Sequence, residues 1–550
     1  MISASWRAAL VGAFVAALAT LPGLGAGTLW DNSETAYGEV AREILLSHSW
    51  IVMHLNGVPW FVQPPLYFWI AAAFAKTFGG SEIAYRLPSA LATVAMAAIV
   101  GYVVARLGTL RAAVLATTVL STALMQAVVG RLAIMDALLD LAVTLAILAW
   151  FGALRTGGRG WWYAGWVAVA LGTLAKGPVA PAIAAIVVVP WIVWDRLVGR
   201  PIAVPRPIDL AGGCAVFAAI VLPWAVALSR AAGPSVFGEL VGHYTVGRYL
   251  GTIENQSGPI WYYVPVLVLG FFPWFAYLVP ASISAWREAR DPERSFARLA
   301  VVWSVVPFVF FSLAKTKLPN YIALELPALA IVVALWFDRI TRARERRSAL
   351  AWTAIVPVLV ACLGIAVVIF SRDNRLSAGL ALVRVPFASL GGAILAGSVA
   401  CFALLCSRGR AWLAPYALAA SSILVMTIIA VIGLPIVERF KPIPNLAAIV
   451  ERERRPGDLV AIQTVSGGNA LMFYTRPGIA ILNGPGAPVT ERAHDPRLAI
   501  CSAARAFVVT AKKRPPFDPT YGRTRRTIAV SNNDVLFLYD GPACRAAAAR

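Results

Sequence analysis

The stretch "LWDNSETAYGEVA", residues 29–41, sets Asp31, Glu34 and Glu39 directly behind an apolar run that extends from Ala8 to Leu29. A run of that length is enough to cross a bilayer. The three carboxylates therefore stand where the chain leaves a membrane, a place where ionisable side chains are costly and usually have a task. What that task is depends on what surrounds them.

Only 14% of the 550 residues are charged and 59% are hydrophobic, against roughly 25% charged in an average soluble domain. Apolar segments recur at about 8–29, 86–104, 112–129, 137–152, 161–175, 178–194, 209–229, 261–284, 299–313, 322–338, 349–370, 387–406 and 412–434. The pattern predicts a polytopic α-helical membrane protein with about thirteen transmembrane helices. The first run is long and many others follow, so it is read as a span and not as a cleaved leader. A shorter stretch, 64–78, "PPLYFWIAAAFAKTF", opens on two prolines and reads as a helix lying in the interface.

The formal net charge of +21 would suit nucleic-acid binding in a soluble protein. Here the arginines fall in alternate loops, among them Arg106 and Arg111, Arg196 and Arg200, and Arg339 to Arg347. Such loops are cytoplasmic by the positive-inside rule, which accounts for the charge without nucleic acid. The intervening loops, 30–85, 130–136, Lys176–Gly177, 230–260, 314–321 and 371–386, are then outside, as is everything after residue 434. Residues 1–434 form the transmembrane domain, and 435–550 a small extracytoplasmic α/β domain. Its strands are read from "DLVAIQTV", "GIAILNG", "AFVVTAK" and "DVLFLYDG". Cys501 and Cys544 both lie in that region, where an oxidising compartment would pair them; the other four cysteines lie in apolar runs.

The outside loops gather carboxylates and cations. Asp136 follows Arg131 in "GRLAIMDALL", at the edge of an apolar run with no other polar neighbour in sequence. The 230–260 loop holds Glu239, His243, Tyr244, Arg248, Tyr249 and Glu254, and the 314–321 loop, "AKTKLPNY", holds Lys315, Lys317 and Tyr321. Lysines on the side where positive charge is disfavoured suit an anionic ligand such as a phosphate. Asp31 fits a helix cap as well as a catalytic role, its spacing to Glu34 being that of a capping box. His243 fits a solvated loop residue as well as a ligand to metal or substrate. D-x-D, P-loop and H-E-x-x-H signatures are missing, so metal–nucleotide chemistry and zinc hydrolysis have no motif behind them.

In order, "LWDNSETAYGEVAREIL", "WIVMHLNGVPWFVQPPLYFW", "RLAIMDALL", "LAKGP", "GPIWYYVPVL" and "LAKTKLPNYIALELPALA" resemble the GT-C polyprenyl-phosphate-sugar glycosyltransferases. The nearest branch is the lipid A 4-amino-4-deoxy-L-arabinose transferases, within the broader protein O-mannosyltransferase-like group. The resemblance implies an undecaprenyl-phosphate sugar donor and lipid A or another envelope acceptor at the periplasmic side of the bacterial inner membrane. It implies a catalytic carboxylate among Glu34, Asp136 and Asp31, and a donor-phosphate site from Arg248, Lys315, Lys317, Tyr321, Tyr244 and Arg131. It further implies substrate contacts from Glu39, Tyr67 and His243. No cofactor is required on this reading; a divalent metal, with His243 as its ligand, is allowed without being called for by a motif, and a monomer is expected. Two positions depart from the branch: Ser33-Glu34 stands where an Asp-Glu pair is usual, and Gln63 where a lysine is usual. An O-mannosyltransferase-like enzyme is the alternative. A secondary transporter fits less well, since such proteins carry internal repeats and mid-membrane broken helices, whereas here charges cluster at one face.

Overall fold

A computed structural model describes residues 3–30, 33–252, 256–340, 384–407, 409–463, 468–475, 478–482, 496–511, 525–532, 534–542 and 544, with parts of 357–369. Among these, eight helices are long and apolar enough to cross a membrane, or up to ten with two bent pairs counted as spans. Ala4–Thr20 and Leu66–Phe78 are shorter apolar helices. Helix covers all or part of every predicted span except 349–370, which lies largely outside the described residues, but the number long enough to cross, among the described residues, does not reach thirteen. The chain is a multi-pass membrane protein.

Sequence explains most of the differences in detail. The first helix stops at Thr20, well before Leu29, because "LPGLGAG" supplies a proline and three glycines, two of them at positive φ. The segment at 112–129 is broken into Leu110–Thr122 and Leu124–Arg131, bent by 62°. The one at 261–284 is broken into Tyr263–Gly270 and Trp274–Ala289, bent by 111° at "FFPW". The two breaks meet. Leu124 N donates to Phe272 O at 3.1 Å, and Trp274 Nε1 to Thr122 Oγ1 at 3.1 Å, so a backbone donor freed at one bend meets a carbonyl at the other, as an apolar environment favours.

The chain divides into two units, 1–24 with 61–67 and 86–433, and 25–60 with 68–85 and 434–550. One unit gives way to the other at 433–434, and residues 25–60 and 68–85 group with the C-terminal region.

The first unit holds one large apolar core running through most of its helices. Small residues bring helices together, the usual device where lipid is the solvent. A Cβ on Gly101 would lie 2.6 Å from Ala8 O, and one on Gly172 2.5 Å from the Ala180 Cβ. One ion pair is wholly buried: Arg298 Nε to Asp195 Oδ1 at 2.5 Å, both side chains fully inaccessible. Arg298 also donates to the carbonyls of Ala289, Asp291 and Pro292, so its other donors are used and the pair is tolerable in the interior.

The second unit carries a short hairpin, β1 (His54–Leu55) with β2 (Val58–Pro59), and a five-stranded sheet. The sheet comprises β3 (Leu459–Gln463), β4 (Ala480–Ile481), β5 (Arg505–Ala511), β6 (Arg525–Ser531) and β7 (Asp534–Asp540), ordered β4-β3-β5-β7-β6. β3 runs parallel to β4 and β5, while β7 is antiparallel to β5 and β6. Four of the five were read from sequence. The edge strand β6 was not, because "RRTIAVS" opens on two arginines, a charged start that suits an unpaired edge. Cys501 and Cys544 are disulfide-bonded with Cα atoms 5.1 Å apart, as expected from the sequence.

Candidate active site

In the first unit the chemistry assembles on the segment 314–325. After helix Ser295–Leu313 the chain runs extended and then turns into the 3-10 helix Pro319–Glu325, with Pro319 opening it. Asn320 Nδ2 donates to Asp136 Oδ1 at 2.6 Å, and Lys176 Nζ approaches the same oxygen at 2.5 Å. Asp136 is the first residue of helix Asp136–Thr156, and Lys176 the last of Arg159–Lys176. Anion at the N-terminus and cation at the C-terminus both suit the helix dipole. The Lys176 ammonium also lies 5.3 Å from the centre of the Tyr321 ring. The sequence placed Asp136 beside Arg131; its partners are instead Lys176 and Asn320. The signal for both was on view, in "LAKGP" and "KLPNY", two polar residues at the ends of apolar runs next to proline.

The same segment pairs with the 230–260 region, which is helical where a loop was expected: a π-helix at Gly238–Gly247 runs into Arg248–Leu250. Lys315 N donates to Tyr249 O at 3.0 Å, Thr316 N to Arg248 O at 3.1 Å and Lys317 N to Gln256 O at 2.9 Å. Arg248 and Lys315 are thereby held by one ladder. The Arg248 guanidinium stacks 5.9 Å from the Tyr244 ring centre and reaches Gln256 Oε1 at 3.5 Å. Lys315 is exposed. His243 is exposed too, its ring edge-on to Tyr244 at 4.8 Å. Among the described residues no group of three or more His, Cys, Asp or Glu is placed to hold a metal ion.

Three expected site residues are used otherwise. Lys317 is buried, and its ammonium donates to the carbonyls of Phe311, Ser312 and Ala314 at 3.3, 2.8 and 2.7 Å. It caps the C-terminal end of Ser295–Leu313, and burial lowers its pKa. Arg131 donates to Pro22 O at 2.7 Å and Ala19 O at 2.9 Å, closing the end of the first helix. Tyr67, expected to contact substrate, is fully buried.

In the second unit Glu34 opens helix Glu34–Ser47 and is 1% exposed; its Oε2 accepts from Trp30 N at 2.9 Å. Ser33 is the helix N-cap residue, while Asp31, like Glu254 of the first unit, lies outside the described residues. Glu39 was expected to meet substrate. It is instead buried in an ion pair with Arg42 at 2.6 Å. Burial raises its pKa to about 7 against the opposing pull of Arg42. Arg42 also donates to the carbonyls of Met472, Phe473 and Thr475 at 2.9, 2.9 and 3.1 Å. This explains why the first loop groups with the C-terminal region.

Residues 62–226 match the family model described as dolichyl-phosphate-mannose-protein mannosyltransferase. The chain is 32% identical over 349 residues to the undecaprenyl phosphate-alpha-4-amino-4-deoxy-L-arabinose arabinosyl transferase of Edwardsiella ictaluri, covering 62% of this chain and 61% of that one. It is 31% identical over 333 residues to the protein of the same name from Erwinia tasmaniensis, covering 60% and 59%. The chain thus spans about three fifths of the length of these curated relatives. The crystal structure of ArnT from Cupriavidus metallidurans bound to undecaprenyl phosphate superposes with a TM-score of 0.81 at 22% identity, over 97% of this chain and 98% of that one. The apo state of the same protein gives 0.79 over the same shares. The fold is therefore the one seen in ArnT, polytopic and helical with a small C-terminal α/β region, and the sequence resembles the GT-C glycosyltransferases that use polyprenyl-phosphate sugars.

Proposed function

We propose that the chain transfers a sugar, 4-amino-4-deoxy-L-arabinose or a related pentose or hexose, from undecaprenyl phosphate to lipid A or another envelope acceptor. The donor enters from the bilayer, and the reaction takes place at the periplasmic face of the inner membrane. The acceptor oxygen attacks the anomeric carbon and the lipid phosphate departs. A carboxylate, Asp136 or one of the first-loop pair Glu34 and Asp31, takes or orients the acceptor proton. Arg248, Lys315 and Tyr321 neutralise the departing phosphate. One phosphate carries less charge than a diphosphate, so cationic side chains suffice and no metal is needed.

The observation that carries this reading is the 314–325 segment. Its backbone ladder holds Arg248 and Lys315, and its Asn320 fixes Asp136, so anion-binding and carboxylate groups are joined through one short stretch. The names of the relatives supply the sugar and the carrier lipid, and the arginine-rich loops supply the orientation. The test is turnover by the purified protein, given a panel of undecaprenyl-phosphate sugars with lipid A in detergent and EDTA, read by mass spectrometry. Release of free undecaprenyl phosphate with a mass gain of one sugar on the acceptor is expected. Turnover that appears only on adding a divalent ion would remove the metal-free part, and lack of any transfer the whole.

A further inference from the structure

The backbone of residues 28 and 29, which leads into the first-loop carboxylates, is held by side chains of the C-terminal region. Thr28 N donates to Glu438 Oε2 at 3.0 Å, and the Thr28 hydroxyl donates to Glu438 Oε1. Thr28 O accepts from Lys441 Nζ at 2.9 Å, and the same ammonium pairs with Glu438 at 3.1 Å. Leu29 N donates to the Tyr474 hydroxyl at 2.7 Å, which in turn donates to Glu82 at 3.2 Å. The Lys441 ammonium lies 4.2 Å from the centre of the Trp30 ring. The next amide, Trp30 N, goes to Glu34 itself at 2.9 Å. On the far side of the loop, Arg42 is bound to the carbonyls of 472, 473 and 475. The loop that carries Glu34 is therefore clamped on both flanks by one region more than 400 residues away, Thr28 and Glu438 being 410 apart.

We propose that Glu438, Lys441, Thr28 and Tyr474 are positioning residues for Glu34, and that the C-terminal region acts as the clamp that sets the first-loop carboxylate in its working place. This rests on the transferase reading above. The chain of contacts is short: Glu438 fixes Thr28, Tyr474 fixes Leu29, and Trp30 N fixes one Glu34 oxygen. Gly27, at φ +75°, gives the turn that lays Thr28 against Glu438; a Cβ there would sit 3.0 Å from Glu438 Oε2. Hydrogen bonds to a charged acceptor hold geometry firmly, and small displacements of a catalytic group lower the rate of the chemical step more than they alter binding.

The experiment compares the full-length parent with Glu438→Ala, Thr28→Val and Thr28→Ser, using the transfer assay and a melting curve in one detergent. In the parent, Glu34→Gln is assayed first: if it turns over normally, the carboxylate assignment fails, separately from the clamp. The clamp predicts that Glu438→Ala and Thr28→Val each lower kcat at least tenfold, with donor KM within about threefold. Thr28→Ser, which keeps the hydroxyl, recovers most of the loss. The backbone amides of Thr28, Leu29 and Trp30 should exchange faster in Glu438→Ala while those of β5 do not. If Glu438→Ala does not fold, Thr28→Val carries the test alone, since it removes one hydroxyl at unchanged shape. A kcat within twofold of the parent in Thr28→Val, or a loss confined to KM, overturns the proposal.

Discussion

Asp136 combines features rarely found together near a membrane: it is 5% exposed, begins a helix, and bonds through one oxygen to both Lys176 and Asn320. A carboxylate so held is oriented and charge-balanced, which supports the role proposed for it. Asp136→Ala is expected to lower transfer at least about 100-fold, the scale of a lost general acid or base, with the protein still folded by melting curve. Lys176→Met should leave Asp136 without its cation and lower kcat as well. The two neighbouring lysines separate cleanly. Lys315→Met should raise donor KM about tenfold, the scale of one charge-assisted contact, without altering the melting temperature. Lys317→Met should lower the melting temperature, because three carbonyls at a helix end lose their donor, and should affect donor KM little. Donor titrations beside thermal melts of both variants check this.

Helices were the most legible elements, since composition and length alone mark an apolar run. Breaks within a run were not legible, because a bend is stable only when its freed backbone finds a partner, and the partner of the break at Thr122 lies at Trp274. The same holds for the site. Asp136 and the lysines could be picked out as costly charges, but Lys317 and Arg131 could not be recognised as helix-end caps until the carbonyls they meet were in place. Buried pairs follow the same logic of distant partners. Removing Arg298 leaves Asp195 inside with no cation, and breaking such a pair costs about 3–5 kcal/mol. Arg298→Ala is therefore expected to lower the melting temperature sharply, and Asp195→Asn with Arg298→Met should be less harmful than Arg298→Ala alone. Glu39 gives helix Glu34–Ser47 a pH dependence. Its pKa is about 7 folded against 4.5 ordinarily, so the folded chain holds the extra proton between those values. Stability is thus greatest at the acid end of that window and falls as pH rises to 7. The melting temperature of the parent should drop relative to Glu39→Gln across that range and run level with it above; a gap that does not change with pH would refute the assignment.

At the scale of the whole molecule the decisive question is which side of the membrane the C-terminal region occupies. Alternating arginine-rich loops are the ground on which we propose that it lies outside, and the disulfide supports that proposal. Cys501 and Cys544, 43 residues apart, are bonded to each other, while Cys214, Cys362, Cys401 and Cys406 are free. Disulfides persist in oxidising compartments and are rare in the cytosol, so a pair confined to this region is what an extracytoplasmic placement requires. Closing a loop of that length stabilises the fold by about 4 kcal/mol in the chain-entropy model. The bond ties helix Pro496–Ser502, which contains Cys501, to the chain just beyond β7, bracing the sheet on which the C-terminal region is built. When protein from intact membranes is denatured without reductant and exposed to a maleimide, label is expected on the four apolar-run cysteines and not on Cys501 or Cys544. Reductant should add two labels and lower the melting temperature. Label on both tail cysteines before reduction would remove the bond, and with it the chemical support for placing this region outside.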